Sequence, residues 1–166
     1  MKNNLTFPTV FVVLITILFA GGCDSADDPG NPITYPEKVT IYLKLHIEDG
    51  KKFLEMYDSA NPASSVINDL HTVVGPATKV VWRRTEDSGI RSLKKVGPKE
   101  EGGPIFPGEA TTILFNKRFR VKVPEDAPVP TGQIEYIEEA YYIIFVEKET
   151  GEEIKIDPYL RIPRQL

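Results

Sequence analysis

The sequence has few of the residues that build covalent cross-links and metal centres. Its 166 residues include one cysteine and two histidines. A single cysteine cannot form a disulfide within the chain, so a folded domain must be stabilised by its apolar core. The length is sufficient for one domain with a sizeable core.

Signatures of common enzymes are also missing. No serine lies in a Gly-x-Ser-x-Gly elbow, and no glycine-rich loop opens a helix that could bind phosphates. Two pairs of adjacent carboxylates occur, Glu138 with Glu139 and Glu152 with Glu153. Neighbouring residues of a strand point to opposite faces, so neither pair can form a catalytic dyad there. The sequence therefore predicts a protein with no catalytic activity and no cofactor.

Positive charge is in deficit, since 20 basic against 24 acidic residues give a formal net charge of -4 at pH 7. This balance offers no overall attraction to nucleic acid phosphates, so no nucleic acid partner is predicted. One basic row stands out on a predicted strand face, formed by Arg118, Arg120 and Lys122. Like charges in register repel. We therefore expect acidic partners on the neighbouring strand, such as Glu135 or Glu139, or else an external anion.

The N-terminal segment combines one basic residue, an apolar run and small residues before the cysteine. Lys2 precedes the apolar run 7–20, and Ala20-Gly21-Gly22-Cys23 follows. The run is shorter than the roughly 20 apolar residues that a membrane-spanning helix needs, and its small-residue end indicates a signal peptide. The pattern resembles the lipobox of bacterial lipoproteins, although Ala20 stands where leucine is preferred. The resemblance implies cleavage after residue 22 and a lipid on Cys23.

Lipidation has one alternative, an ordinary secretory signal that is cut near Gly22 and leaves Cys23 free. An unpaired thiol is a liability in an oxidising compartment, which favours lipidation. Acyl chains add about 0.8 kcal/mol of membrane affinity per buried methylene. The resemblance thus implies a bacterial cell-envelope protein that is held on the membrane through Cys23 and faces the periplasm or the cell surface. Residues 23–36, which include three aspartates and three prolines, are predicted to be a flexible tether.

The folded domain is predicted to span residues 37–166 and to consist of strands. Residues 39–47 alternate between apolar and polar side chains, and Asp49-Gly50 suits a type I′ turn into a return strand at 51–57. One helical turn, capped by Asn61, is the expectation for 63–70. Further strands are predicted at 70–74, 79–84, 90–96, 112–123, 133–146, 153–156 and 159–162.

Two of these strands carry a more specific expectation. The run 140–146 is almost continuously apolar, which is typical of a central strand covered on both faces. The run 159–162 follows Asp157-Pro158 and is expected at an edge, where proline is tolerated.

The number and spacing of the strands indicate an all-β fold, namely a single antiparallel β-sandwich of about seven to nine strands. Val80-Val81-Trp82-Arg83, Ser88-Gly89-Ile90 and the segment 157–162 resemble small secreted bacterial domains of cupredoxin-like or immunoglobulin-like type. The resemblance covers roughly the second half of the domain. Trp82, the only tryptophan, is expected in the core.

A cupredoxin-like fold raises the question of copper. A blue-copper site needs a cysteine thiolate and two histidines, usually with a methionine. Cys23 lies outside the domain, so such a site is not predicted. His46, His71 and Met56 could form only a sparse metal site, and Lys44 shares the predicted strand face of His46. No bound metal is predicted.

The segment 97–108 is the candidate ligand-binding loop. Its glycines and prolines exclude regular structure, and loops of about 12 residues in compact domains are often functional. Ile105 and Phe106 lie within it. They either fold back to close one end of the sandwich, which is the favoured reading, or form an exposed contact site for a ligand.

These observations predict a lipid-anchored binding or interaction module of the cell envelope, with a protein or glycan as partner. The alternative is a periplasmic carrier of a metal or small ligand that uses His46, His71 or the loop 97–108. A third reading is a carbohydrate-contacting module that uses Tyr42 and Tyr57, both expected to be exposed.

Overall fold

The computed structural model describes residues 34–59, 65–67, 69–101, 103–114 and 118–165. Within these ranges the protein is all-β, with eleven strands and no helix. No helix long and apolar enough to cross a membrane was found in this part of the chain. Cys23, the predicted signal peptide and most of the predicted tether lie outside the described residues.

The strands form two sheets. In chain order they are β1 (Lys38–Glu48), β2 (Lys51–Asp58), β3 (Val66–Ile67), β4 (His71–Val73), β5 (Lys79–Arg84), β6 (Ile90–Pro98), β7 (Thr111–Ile113), β8 (Arg118–Lys122), β9 (Tyr136–Glu147), β10 (Glu153–Ile156) and β11 (Tyr159–Pro163). The first sheet has the order β3-β2-β1-β5-β8-β7. In the second sheet β9 pairs with β6, β10 and β11, and β11 also pairs with β4.

Both sheets are mixed, because β1 pairs with β5 and β4 pairs with β11 in parallel. The expectation of exclusively antiparallel pairing was therefore wrong at these two places. The physical reason is the route of the chain, which passes from β2 through β3 and then through β4 of the other sheet before it returns beside β1. A crossover of this kind brings the strand in from the same end as its new neighbour.

The first hairpin is confirmed. β1 and β2 pair from Ile41 opposite Asp58 to Glu48 opposite Lys51. Asp49 and Gly50 take φ values of 50° and 73°, which are the positive angles that a type I′ turn requires. The strands predicted at 79–84 and 153–156 are confirmed with the same bounds.

The segment 112–123 was wrongly predicted as one strand. It forms two antiparallel strands, β7 and β8, and Leu114 after β7 has a φ of 54°. The helical turn expected at 63–70 is also wrong at Val66 and Ile67, which form β3 against β2. Asn61, its expected cap, lies outside the described residues.

Three further expectations about the second sheet need correction. β6 extends to Pro98, so the loop begins later than residue 97. β11 is not an edge strand, since β4 pairs with its free side. β9 is central, but Tyr142 and Ile144 on one face are only half-buried, so it is not fully covered on both faces.

The core lies between residues of both sheets. Trp82 of β5 is fully buried, as predicted, and its indole contacts the rings of Tyr141 in β9 and Phe106. The buried apolar residues of β1, β5 and β8 in one sheet and of β6, β9 and β11 in the other belong to a single cluster. Alternation within the strands places these side chains on the inner faces and leaves polar side chains on the outer faces.

Tyr35 joins the beginning of the described chain to the domain. Its hydroxyl donates a 2.7 Å hydrogen bond to the carbonyl oxygen of Pro163. A Cβ on Gly75 would lie only 2.0 Å from the Tyr35 ring, so the ring packs directly on the glycine backbone. The Thr78 hydroxyl donates to the carbonyl oxygen of Pro36. Tyr35 and Pro36, within the predicted tether, thus contact the folded domain.

Candidate functional site

Ile105 and Phe106, the candidate ligand-binding residues, have no exposed surface. The Phe106 ring centroid lies 5.6 Å from that of Trp82 and 5.7 Å from that of Tyr141. The reading in which the two residues fold back into the core therefore describes their position. Contact with a ligand by Ile105 or Phe106 stays a prediction.

A carboxylate holds this loop in place. Glu139 Oε2 accepts hydrogen bonds from the backbone N–H groups of Ile105 and Phe106, at 2.7 and 3.1 Å. A Cβ on Gly103 would lie 1.9 Å from Glu139 Oε1, so a larger residue here would require the carboxylate to shift. The sequence had suggested Glu139 as a partner of the basic row, and this expectation was wrong. The periodicity of the sequence carries no signal for this bond, because it joins a loop to a strand 33 residues away.

The residues considered for a metal lie apart. His46 is on β1 of the first sheet, His71 is on β4 of the second, and Met56 is completely buried in the core. Within the described ranges, no group of three or more His, Cys, Asp or Glu side chains is arranged to hold a metal ion.

His71 belongs to a polar network on the outer face of the second sheet. Its Nδ1 lies 2.8 Å from Glu138 Oε2, which also accepts hydrogen bonds from Arg161 Nε and NH2 at 3.0 and 2.7 Å. Burial alone would raise the pKa of Glu138, but the hydrogen bonds from Arg161 and His71 outweigh it and hold the pKa below its ordinary value. Because its groups satisfy one another, this network has the character of a structural cluster.

The outer face of the first sheet carries the basic row that the sequence singled out. Arg120 and Lys122 of β8 lie directly opposite Val81 and Lys79 of β5. Lys79 in turn lies beside Lys38 of β1. Side chains in register on one face lie about 5 Å apart at Cβ, so three lysines form a line across three strands. Among the described residues, Glu37 pairs with Lys79 in the middle of this line, and Glu125 pairs with Lys122 at one end of it.

A second line crosses the same face and joins tyrosines to arginines. Tyr57, Tyr42, Arg83 and Arg118 occupy successive positions on β2, β1, β5 and β8, each opposite the next. We call these four residues the Tyr–Arg row. The two tyrosine rings stack with centroids 4.9 Å apart and an interplanar angle of 13°. They are half-buried by this stacking, so the expectation of two freely exposed tyrosines was wrong.

The arginines of this face lack an acidic partner in the part of the chain that the structure describes. Among the described residues, Arg83, Arg118 and Arg120 form no ion pair. Glu135 and Glu139, expected beside them, lie just before and within β9 of the other sheet. Arg83 and Arg118 are directly opposite each other, an arrangement of like charges that destabilises a sheet. The neighbours of β8 are instead β5 and β7, which the sequence alone did not identify.

Arg83 and Arg118, together with Arg84, line a cleft at one end of the first sheet. The cleft has a volume of about 370 Å³ and is lined by Arg83, Arg84, Thr85, Glu86, Leu114 and Arg118. Arg84 is oriented by a 3.1 Å hydrogen bond from its NH1 to the carbonyl oxygen of Ile90. Its Nε is buried and has no hydrogen-bond partner among the described residues. We call this site the arginine cleft.

The loop that was expected to be functional borders two other clefts, of about 560 and 520 Å³. Among the described lining residues, the first of these clefts has two lysines and two glutamates, whereas the second has one lysine and four glutamates. Lys95 pairs with Glu109, and Lys99 lies 3.1 Å from Asp157. Of the three clefts, the arginine cleft is the one whose described lining residues carry a net positive charge.

Chemically, the arginine cleft and the rows beside it suit an anion. Guanidinium groups donate paired hydrogen bonds to carboxylate and phosphate oxygens, and an aromatic surface beside them suits the apolar face of a sugar ring. No protein-family model matches the chain, and no curated protein matches its sequence.

Proposed function

We propose that the protein is a non-catalytic binding module of the bacterial cell envelope, held on the membrane by a lipid on Cys23. Its body is a small β-sandwich of cupredoxin-like or immunoglobulin-like type without a copper site. Two mixed sheets that share one apolar core support this architecture. The lipobox-like run at 20–23 supports the anchor.

The binding surface is the outer face of the first sheet, and its partner is an anionic glycan of the envelope. One observation carries this proposal. Arg83, Arg118 and Arg120 form no ion pair among the described residues, although the chain as a whole has a formal charge of -4. An acidic protein that collects unpaired cations on one face attracts anions to that face. The stacked Tyr42 and Tyr57 favour a glycan over a bare polyanion such as nucleic acid.

Binding is tested with the full chain in nonionic detergent and with polygalacturonate, an acidic polysaccharide. The combined variant Arg83→Gln, Arg118→Gln, Arg120→Gln should weaken binding by more than about tenfold, because each lost contact is a charge-assisted hydrogen bond. Binding of the original chain should fall as salt rises, since exposed charges are screened. Neutral dextran should not bind.

A matched control removes the same number of cations elsewhere. Arg91, Lys94 and Lys148 are exposed and lie outside the basic face. Their replacement by glutamine should leave polygalacturonate binding within about twofold, because the total charge changes equally but the face does not. Equal losses in the two combined variants would contradict a specific surface. Tighter binding to a DNA duplex than to polygalacturonate would overturn the choice of a glycan.

The anchor is tested separately by palmitate labelling in a bacterial host. The mature protein should carry the label, and Cys23→Ser should be unlabelled and released from the membrane fraction. Loss of the anchor should not change polygalacturonate binding in solution. An unlabelled mature protein would refute the lipid-anchored part of the proposal and leave the binding surface unaffected.

A second candidate is a periplasmic carrier of a small carbohydrate, and the Tyr42–Tyr57 stack supports it. Such a carrier would bind neutral sugars through the tyrosines with little dependence on salt. Glycan-array binding that is lost in Tyr42→Ala but retained in the combined arginine variant would favour the carrier. A metal carrier built on His46 or His71 would instead show shifted imidazole signals on titration with copper or zinc.

A further inference from the structure

We infer that the arginine cleft binds a single phosphate-type oxyanion, such as a phosphate monoester carried by the partner. This inference rests on the proposed function, in which the adjacent face binds an anionic glycan, and it names the group that enters the cleft.

The charge of the cleft matches a phosphate monoester. Among the described residues that line the cleft, three arginines against one glutamate leave a formal charge of +2. A phosphate monoester carries between about -1.5 and -2 at neutral pH. Arg83 and Arg118 lie opposite each other and pair with no acidic side chain of the described ranges, so a bound dianion would remove their mutual repulsion.

One guanidinium of the cleft, that of Arg84, is held in place by the protein. Arg84 Nε is buried and makes no hydrogen bond to any described residue, while NH1 of the same guanidinium is held by the Ile90 carbonyl. Arg84 is thus oriented in advance, and the guanidinium fork suits phosphate better than a point charge does.

The cleft joins two structural units. Arg83 and Arg118 come from neighbouring strands of the first sheet, whereas Arg84 reaches the carbonyl of Ile90 at the start of β6 in the second sheet. Leu114, at a φ of 54°, closes the side next to β7. A volume of about 370 Å³ admits a phosphate group with the first atoms of its substituent.

The direct test is titration of the full chain in nonionic detergent with methyl phosphate, followed by ³¹P NMR. We expect saturable binding that Arg84→Gln weakens at least about tenfold, because a charged hydrogen-bond donor is lost. Arg118→Lys, which keeps the charge but loses the fork, should weaken binding about threefold to tenfold. Unchanged binding in both variants would overturn the inference.

The pH dependence of binding distinguishes phosphate recognition from general attraction of anions. The second pKa of a phosphate monoester is about 6, so methyl phosphate should bind more weakly at pH 5 than at pH 8. Sulfate remains a dianion throughout this range and should show no such change. Methyl phosphate binding that does not change with pH would contradict recognition of the dianion.

Failure of this inference can be told apart from failure of the proposed function. Arg120 lies on the basic face but does not line the cleft, whereas Arg84 lines the cleft but alternates onto the other side of β5 from Arg83. Arg120→Gln should therefore weaken polygalacturonate binding and leave methyl phosphate binding within about twofold. Arg84→Gln should weaken methyl phosphate binding and leave polygalacturonate binding within about twofold. Loss of both ligands in both variants would refute a separate phosphate site.

The source of the phosphate is identified by competition. Methyl phosphate, a phosphorylated polysaccharide and vesicles of phosphatidylcholine with phosphatidic acid all present the same group. Competition by the phosphorylated polysaccharide at lower phosphate concentration than by vesicles would support a glycan source. Stronger competition by vesicles would assign the cleft to a lipid headgroup and contradict the glycan source. Should Arg84→Gln unfold, as judged by circular dichroism, Arg118→Lys carries the same test.

Discussion

The indole N–H of Trp82 donates a 3.1 Å hydrogen bond to the phenolic oxygen of Tyr141, in the centre of the apolar core. The two side chains come from different sheets, and both are fully buried. Burial raises the pKa of Tyr141 far above its ordinary value, so the acceptor is a neutral phenol. A directional bond thus fixes how the sheets face each other, in addition to apolar packing.

Tyr141→Phe should lower the free energy of unfolding by about 1–3 kcal/mol, because it leaves the buried Trp82 N–H without an acceptor. Denaturation in urea, followed by circular dichroism, measures this loss. In the double variant with Trp82→Phe, the loss of stability should be smaller than the sum of the losses in the two single variants, since both substitutions remove the same bond. Fully additive losses would show that the bond contributes nothing.

Gly75→Ala should destabilise the domain by about 1–3 kcal/mol, since the new methyl group would overlap the Tyr35 ring. Thermal unfolding measures the effect. In a Tyr35→Ala background the same glycine substitution should cost much less, because the ring is gone. A cost that is equal in both backgrounds would mean that Tyr35 does not determine the need for glycine.

Glu139→Ala should free the loop around Ile105 and Phe106, because both amides lose their acceptor. The expected loss of stability is about 1.5–3 kcal/mol, which is typical of hydrogen bonds to a charged group. Hydrogen exchange should accelerate at these two amides first. Glu101→Ala, at an exposed position of the same loop, is the control and should leave both exchange rates unchanged.

Acid should weaken the second sheet through Glu138. The pKa of this carboxylate is lowered in the folded state, since the hydrogen bonds from Arg161 and His71 outweigh burial. A lowered folded pKa contributes stability that is fully present above the unfolded value of 4.5 and is lost as pH falls below it. Glu138→Gln should therefore be less stable than the original chain at pH 7. The difference in the free energy of unfolding between the two proteins, measured by urea titration, should narrow toward pH 3. A difference that does not change with pH would contradict this linkage.

Arg118→Thr should separate binding from stability. Threonine suits a strand and removes the repulsion between Arg118 and Arg83, so stability should rise by about 0.2–1 kcal/mol. Methyl phosphate and polygalacturonate should both bind more weakly. If stability instead fell together with binding, Arg118 would have a structural role that its contacts do not reveal.

Local patterns predicted those parts of the fold whose causes are local. The β1–β2 hairpin follows from strict alternation and from Asp49-Gly50, whose positive φ angles need no distant contact. The burial of Trp82 follows from its place in an apolar strand. The end of β7 was missed because the apolar row, broken at Lys117, resumes at Phe119, and Leu114 is not a residue type that indicates positive φ.

The candidate site depends on pairings that no local pattern contains. Arg83 and Arg118 are 35 positions apart in the chain and become neighbours only because β8 pairs with β5. The basic row was visible in the sequence, but its expected acidic partners lie at or within a strand of the other sheet. The parallel pairing of β1 with β5 likewise depends on where the chain crosses between the sheets.

The contact of Tyr35 with Gly75 and Pro163 has a mechanical consequence. Tension transmitted along the chain from residues before 34 would act first on this contact and then on β1, along the axis of the strand. Strand β1 is bonded on both sides, to β2 and to β5, so the load would be shared by many backbone bonds in shear instead of opening them one at a time. A protein tethered at its N-terminal side could therefore bear force on a captured polymer without unravelling from that end.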